Sequence, residues 1–488
     1  MARFRSHVLA GLGLMAALAG CDRRSDLGPV TVSVIGEAPQ LVAPSRRSIG
    51  EPSRQLMQAT AQGLVRFDAA GQVEPGLAAR WIVIDDGMSY IFRLRDARWA
   101  DGEKVTADAV VARLRAAIAP GSRNPLKSSL GAIDEIVEMT PEVIEVRLRS
   151  PRPELLKLFA QPELAIFDLK TLDGSGPFEI AERDRRSVTL TPTPSLDDPP
   201  EAGAEVDPRE TVILHGERAA RAIARFVTRQ SDMVTGGTFA DWPLLDQVEI
   251  DPASLRVEQV AGLFGLAIVE REGFLAAPED RAAIAMAIDR AALVEMLGPS
   301  WQAETAILPE QYESARPPVP PAWISASPND RRLAAAARVA VWRAANGDPP
   351  ALRLALPDGP GSNLVFARIA ADLRAIGLTV ERVDESADAD LRLIDMVAPH
   401  DNARWFLMQA CRLCSEVPSF ALEAARDAPT MADRAARIAE ADAAVTADAA
   451  FIPLARPLRW SLVSQRLRQW TANPRGVHPL NHLRADTN

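Results

Sequence analysis

Two hydrophobic patterns follow one another between residues 61 and 118. Tyr90, Phe92 and Leu94 alternate with the residues at positions 91, 93 and 95. This period of two places one set of side chains on the core face of a β-hairpin. The period then changes, with Thr106 placed to cap a new helix and Asp108 in its first turn. One face of the predicted helix carries the apolar residues Val110, Val111, Leu114 and Ile118.

The rest of the chain alternates between predicted strands and helices. Residues 352–356, 362–376 and 378–383 predict a strand, a helix and a second strand. Such a unit implies parallel strands joined by a right-handed crossover. The other predicted strands lie at 30–35, 133–137, 143–148, 262–269, 390–394 and 451–455. The other predicted helices lie at 151–159, 217–227, 281–290, 330–345 and 431–447.

The N-terminus predicts export and a lipid anchor. Arg3 and Arg5 precede an apolar run at 8–19 that is too short to span a bilayer but fits a signal peptide. The run ends in Leu-Ala-Gly before Cys21, which looks like a lipoprotein cleavage box. Lipidation of Cys21 would anchor the mature chain to a membrane. Asp22 resembles an inner-membrane retention signal. We therefore expect the mature chain to be anchored at the periplasmic face of the inner membrane.

Composition and charge narrow the function classes. A chain of 488 residues predicts two or three domains, and 47% hydrophobic with 25% charged residues is typical of a globular protein. The net charge of −10 argues against nucleic-acid binding, which needs clustered positive charge. Residues 192–208 and 309–328 are rich in proline and predict surface loops.

A long motif at 63–110 resembles a known family. It runs Gly-Leu-Val, Asp-x-x-Gly-x-x-x-Pro-x-Leu-Ala-x-x-Trp, and Asp-Asp-Gly-x-x-Tyr-x-Phe-x-Leu-Arg-x-x-x-Trp-x-Asp-Gly-x-x-Val-Thr-Ala-x-x-Val. The order and spacing are similar to those of the dipeptide- and oligopeptide-binding proteins of bacterial ABC importers, extracellular solute-binding protein family 5. The resemblance implies a ligand-binding monomer that works with permease and ATPase subunits. It implies neither an enzyme nor a cofactor.

The same resemblance implies an α/β, two-lobed periplasmic-binding-protein-like fold of class II type. After a signal peptide at 1–20, the first lobe comprises 21–262 and 454–488, with an extra subdomain at about 61–155. The second lobe comprises 263–453. The runs at 262–269 and 451–455 would then be the crossings between lobes, which close on a ligand by hinge motion.

Candidate ligand-binding residues also come from the resemblance. The family's peptide binders place an acid for the peptide ammonium after a strand, and Asp401 is the nearest acid here, although the family's following proline is missing. Arg404 and Trp405 offer an anion partner and a stacking face instead. Arg46 and Arg47 lie in a loop at 36–52 that the family places at the cleft mouth, although a solvated surface loop is the simpler interpretation.

Cys411 and Cys414 allow three interpretations. A zinc site would need two further ligands, which the sequence does not place nearby. A thioredoxin-like redox centre would need the pair at the start of a helix in a particular fold unit. A local disulfide in an oxidising compartment is the simplest interpretation. We therefore expect these two cysteines to be disulfide-bonded to each other and free of metal.

Two other function classes stay open. A hydrolase is weakly supported, because His215, His400, His478 and His482 are scattered and no His-Glu-x-x-His or Gly-x-Ser-x-Gly motif is present. The other alternative is an orphan lipoprotein of the same fold that acts as a scaffold or as the partner of a sensor. The presence of neighbouring permease and ATPase genes would separate an importer component from such an orphan.

Overall fold

A computed structural model describes residues 28–99, 102–168, 170–193, 206–309 and 312–484. The predicted signal peptide, Cys21 and most of the proline-rich loop at 192–208 lie outside these ranges. The strands are β1 (Val30–Ile35), β2 (Val65–Phe67), β3 (Val73–Pro75), β4 (Ala78–Ile84), β5 (Ser89–Leu94), β6 (Ile133–Thr140), β7 (Val143–Leu148), β8 (Phe178–Arg183), β9 (Ser187–Pro192), β10 (Val212–Glu217), β11 (Met233–Gly237), β12 (Leu255–Gln259), β13 (Gly262–Ile268), β14 (Leu352–Leu356), β15 (Val380–Asp384), β16 (Leu391–Val397), β17 (Phe451–Ala455) and β18 (Leu458–Val463).

Helices cover the faces of the sheets. The α-helices span Glu51–Thr60, Ala107–Ile118, Leu155–Phe159, Ala219–Val227, Pro278–Ala287, Arg290–Leu297, Pro328–Asn346, Pro360–Ala375, Ala403–Ala410, Glu416–Asp427 and Met431–Ala447. Short 3₁₀ helices lie at Asp85–Gly87, Pro162–Leu164, Pro208–Glu210, Trp242–Gln247, Gly273–Leu275 and Leu480–His482. Within the ranges given above, no helix is both long and apolar enough to cross a bilayer.

Seven strands form what we call the large sheet, in the order β12-β18-β11-β1-β10-β9-β8. β1 runs parallel to both β10 and β11, whereas β18 runs antiparallel to β11 and β12. The helix Glu51–Thr60 buries Leu56 against one face, and the helix Ala219–Val227 buries Ile223 against the other. The large sheet is therefore the middle layer between helices.

Five strands form the second sheet, in the order β15-β14-β16-β13-β17. β14 pairs in parallel with β15, and the helix Pro360–Ala375 connects them, which confirms the predicted strand–helix–strand unit. β13 and β17, the two apolar runs at the predicted crossings, pair antiparallel within this sheet. Four helices between Pro278 and Ala375 cover one face, and the three between Ala403 and Ala447 cover the other.

The two remaining sheets are a small sheet of β4, β5, β7 and β6, and the two-stranded sheet of β2 and β3. Tyr90, Phe92 and Leu94 of β5 are buried and pack on the helix Ala107–Ile118, which confirms the predicted period-two face and the position of the predicted helix. Thr106 precedes this helix as predicted, but its hydroxyl donates to Asp108 and its side chain caps no backbone NH group. Asp85–Gly87 forms the turn between β4 and β5. The small sheet thus has a core of its own, separate from the cores of the other sheets.

Several helix boundaries differ from the sequence prediction, and the helix predicted at 151–159, for example, begins only at Leu155. The predicted helix at 281–290 ends at Ala287, and a second helix starts at Arg290 because Asp289 caps it by accepting a hydrogen bond from the backbone NH of Ala292. Likewise, Glu217 ends β10 and does not start a helix. Its buried carboxylate accepts hydrogen bonds from Ser33 and Arg225, and these contacts hold it in the sheet.

Gly176 gives a direct test of this packing. A Cβ atom placed there would lie 2.4 Å from the backbone carbon of Thr60, at the end of the helix Glu51–Thr60. Because neither backbone segment can move freely, Gly176→Ala should lower the free energy of unfolding by about 2 kcal/mol. Urea denaturation measures this loss.

Gly121→Ala is the matched control, since nothing lies within 4 Å of a Cβ at that position. Equal stability of Gly176→Ala and the wild type would contradict the close contact between these segments.

Candidate functional site

The structure encloses a cavity of about 430 Å³ between the large sheet and the second sheet, which we call the cleft cavity. On the large-sheet side its lining includes Val34 of β1, Thr235 and Gly236 of β11, and Arg459 and Ser461 of β18. The lining residues of β1 and β11 lie near the carboxyl ends of these two parallel strands. In open α/β sheets, this edge is where ligands bind.

The opposite wall belongs to the second sheet and to the first of the three helices between Ala403 and Ala447. It is formed by the end of β16 and by the helix Ala403–Ala410, with Asp395, Met396, Val397, Ala398, Pro399, Trp405 and Gln409 as the lining residues. Arg475, Gly476 and Val477 of the C-terminal segment complete the lining of the cavity. The cavity therefore has walls from both sheets, and a ligand in it would contact both.

Arg54 and Glu163 form a buried ion pair in the cavity wall. Burial acts to lower the pKa of the Arg54 guanidinium, but the charges of Glu163 and Glu51 outweigh it, so the pKa is raised. Only 2% of the Glu163 side chain is exposed, and within the described residues its Oε2 atom has no hydrogen-bond partner. Glu163 thus keeps an acceptor that an incoming donor would satisfy.

A second ion pair joins the two sheets directly. Arg459 of β18 donates to the carboxylate of Asp395 in β16 at 2.8 Å, and to the Asp395 carbonyl at 3.3 Å. Burial raises the pKa of the Asp395 carboxyl, and Arg459 offsets part of that rise. The pair thus connects β18 of the large sheet with β16 of the second sheet.

Asp401, the predicted partner of a peptide ammonium, already has two cationic partners. Its Oδ1 lies 2.5 Å from Nη2 of Arg475, and Lys157 forms a second ion pair with Oδ2. Burial raises the pKa of Asp401, but hydrogen bonds and charges from Lys157 and Arg475 outweigh burial, so the pKa is lowered. Asp401 lies in a neighbouring hollow of about 540 Å³ and is not among the residues that line the cleft cavity.

The other predicted binding residues are dispersed. Trp405 is buried and lines the cleft cavity, with its ring edge-on to Phe406. Arg404 does not line it, and donates from Nε to the carbonyl of Leu422 at 3.1 Å. Arg46 and Arg47 are exposed and also do not line it. Of the five predicted residues, the structure therefore places one in the cavity wall.

Cys411 and Cys414 are joined by a disulfide, with their Cα atoms 5.3 Å apart. The pair directly follows the helix Ala403–Ala410 and packs at the edge of a hydrophobic core. In the part of the chain that the structure describes, no three His, Cys, Asp or Glu side chains are placed to hold a metal ion.

The charged residues of the cavity were missed by sequence reasoning. Arg54, Glu163, Arg459 and Arg475 match no motif, and their partners are far away in the sequence. Asp395 could have been singled out from the sequence, because it is the one acidic residue of the otherwise largely apolar strand β16. A charge in that position pointed to a partner from another element.

Comparison with known proteins identifies the family. A family model described as bacterial extracellular solute-binding proteins, family 5 Middle, matches residues 72–395, which is more than half of the chain. The chain belongs to this family. The resemblance seen in the motif at 63–110 is therefore confirmed.

Curated relatives match over short segments. The probable deoxycholate-binding periplasmic protein YgiS of Escherichia coli K12 is 33% identical over 121 residues, which are 21% of this chain and 23% of YgiS. The matched segment thus spans about a quarter of the relative's length.

Solved structures match over nearly the whole chain. OppA of Haemophilus influenzae in complex with RPPGFSPFR superposes with a TM-score of 0.78 and 17% identity, covering 93% of this chain and 98% of that chain. The murein tripeptide binding protein MppA of Escherichia coli gives a TM-score of 0.79 and 17% identity, covering 93% and 97%. These similarities confirm the predicted α/β, two-lobed periplasmic-binding-protein-like fold.

The ion pairs of Asp401 give a pH-dependent prediction. Because its pKa is lowered in the folded protein, these pairs stabilise the fold above the unfolded pKa of about 4 and are lost as the pH falls through the folded pKa. Asp401→Asn should therefore be less stable than the wild type near neutral pH, and the difference should shrink at acidic pH. Urea unfolding at a series of pH values measures the difference.

Asp358→Asn is the matched control, because Asp358 is fully exposed and its nearest cation is 3.9 Å away. That variant should unfold like the wild type at every pH. A stability difference for Asp401→Asn that does not change with pH would contradict the ion pairs.

Proposed function

We propose that this protein is the extracytoplasmic solute-binding component of an ABC importer and captures a short peptide or a similar small polar solute. Family membership supports the importer role. The observation that carries the proposal is the cleft cavity, whose walls come from both sheets and hold buried charges of both signs. A cavity of about 430 Å³ is in the range of small-molecule sites and favours a short ligand.

The charges of the cavity favour a ligand that carries both an ammonium and a carboxylate. Glu163 and Arg475 each line the cavity and are at most 4% exposed. Glu163 Oε2 and Arg475 Nε have no hydrogen-bond partner within the described ranges. Burying such groups without a partner costs free energy, and a zwitterionic ligand would offset that cost. A free peptide has both groups.

We place the ammonium at Glu163 and not at Asp401. Lys157 and Arg475 already neutralise Asp401, so a ligand ammonium would have to displace a cation there. Glu163 has Arg54 as its single ion-pair partner among the described residues, and its second oxygen is left over. A carboxylate with a spare buried acceptor is the better ammonium partner.

Capture would take place by hinge closure between two lobes. We propose that the lobes are 21–262 with 454–488 and 263–453, with the small sheet as a subdomain of the first. The sheets support this division, since β1, β10, β11 and β18 share the large sheet while β13 to β17 form the second. Lys157, Arg459 and Arg475 lie in the proposed first lobe, whereas Asp395 and Asp401 lie in the second, so these ion pairs join the two lobes. Ligand binding would then favour the closed state.

A peptide titration tests the ligand class. Isothermal titration calorimetry should show saturable binding of a mixture of unmodified di- and tripeptides, and the same peptides with acetylated N-termini should bind at least about tenfold more weakly because the ammonium is gone. Glu163→Gln should weaken binding of the unmodified peptides by a similar factor. Glu385→Gln, which changes an exposed carboxylate, should bind like the wild type.

Two results would overturn the peptide assignment. One is the absence of peptide binding while deoxycholate binds, which would make a different solute the cargo. The other is equal affinity for free and acetylated peptides, which would leave no role for the ammonium.

Lipid anchoring at Cys21 is a separate part of the proposal. Cys21 follows the signal-like apolar run and lies outside the described residues. Cys21→Ser should abolish lipidation, so the protein should leave the membrane fraction and lose the mass of the acyl groups. Fractionation and intact-mass measurement of both forms check this, and unchanged behaviour of the variant would argue against the anchor.

A further inference from the structure

A second hollow, of about 910 Å³, lies between the small sheet and the helices that cover the second sheet. We call it the basic hollow. Its charged lining residues are Lys127, Arg149, Arg152, Arg404, Arg426 and a single acid, Asp427. None of these residues lines the cleft cavity. The hollow therefore concentrates positive charge on a protein whose net charge is −10.

Arg149 and Arg426 pair with Asp134 at 3.1 Å and with Asp427 at 2.7 Å, respectively. Arg152, which is buried, and Arg404, which is half-buried, have no such acidic partner among the described residues. Arg152 donates to the backbone carbonyls of Pro151 at 2.9 Å and Arg426 at 3.1 Å. Arg404 donates to the carbonyl of Leu422 at 3.1 Å. In the described ranges, no carboxylate lies within 4.0 Å of the guanidinium of Arg152 or Arg404. Carbonyl oxygens orient these groups, and the more distant acids Glu154, Glu313 and Asp427 offset only part of their positive charge.

These cations also repel one another. Burial, together with the neighbouring charges of Arg426, Arg152 and Arg434, lowers the pKa of Arg404 to about 10. Burial likewise lowers the pKa of Arg152 to about 10, with Arg434 contributing. Both side chains still carry a positive charge at neutral pH, so their repulsion persists. An anion between them would reduce it.

The basic hollow has two facing walls. Lys127, Arg149 and Arg152 come from the segments around the small sheet, whereas Arg404 and Arg426 come from the helices Ala403–Ala410 and Glu416–Asp427. An anion with several oxygen atoms can accept hydrogen bonds from both walls at once. Guanidinium groups are well suited to this, because their planar donors match carboxylate and phosphate oxygens.

We propose that the basic hollow binds a small, multiply charged oxyanion, one that carries phosphate or carboxylate groups, at a site separate from the cleft cavity. Lys127, Arg152 and Arg404 are its cationic partners, and Arg149 and Arg426 exchange their contacts with Asp134 and Asp427 for contacts with the anion. Because the anion contacts both walls, it binds best when the walls are close together. This inference does not depend on which solute occupies the cleft cavity.

Calorimetric titration of the mature chain with pyrophosphate and with citrate tests the proposal. At low ionic strength, at least one of the two should bind with one-to-one stoichiometry, while sodium chloride of matched ionic strength should not. Arg149 and Arg426 are 66% and 48% exposed, so the double variant Arg149→Gln, Arg426→Gln should fold normally. It should bind the anion at least about tenfold more weakly.

Arg332→Gln is the matched control, because it removes one exposed positive charge from the helix Pro328–Asn346, away from the hollow. It should bind the anion like the wild type. Binding of pyrophosphate alone would point to a phosphate compound, and binding of citrate alone to a polycarboxylate. The proposal is overturned if neither anion binds above the chloride control, or if the double variant binds as tightly as Arg332→Gln does.

Discussion

Two arginines near the C-terminus hold the two sides of the cleft together. Arg459 pairs with Asp395 in β16, and Arg475 contacts both the carbonyl of Ala398 and the carboxylate of Asp401 in the loop that follows. Both side chains are largely buried, so their charges interact in a medium of low polarity and need their partners. The position of the end of β16, and with it one wall of the cleft cavity, depends on these contacts.

The same contacts explain why the cavity carries balanced charge. Among the described residues, each basic side chain that lines the cavity pairs with an acid on another element, so the charges of the cavity wall nearly cancel. In our proposal, the polar atoms without a hydrogen-bond partner then select the ligand. The basic hollow is the opposite case, because carbonyl groups orient Arg152 and Arg404, and no carboxylate of the described residues pairs directly with either. One protein thus presents two environments, one suited to a zwitterion and the other to an anion.

The sequence predicted most of the scaffold and little of the site. The hairpin face of Tyr90, Phe92 and Leu94 could be predicted because alternation along a strand is a local signal. The contacts of the cleft are not local, since Lys157 and Asp401 are 244 residues apart and Arg54 and Glu163 are 109 apart. No spacing rule connects such residues, and the family motif at 63–110 lies in the scaffold away from them.

The central claim is that two lobes close on a ligand in the cleft cavity. Small-angle X-ray scattering of the mature protein, before and after saturation with its tightest-binding short peptide, tests this claim most directly. We predict a smaller radius of gyration for the bound protein, because the ligand favours the closed state through contacts with both walls. Identical scattering profiles at demonstrated saturation would contradict this claim, because they would show that ligand binding does not bring the two lobes closer together.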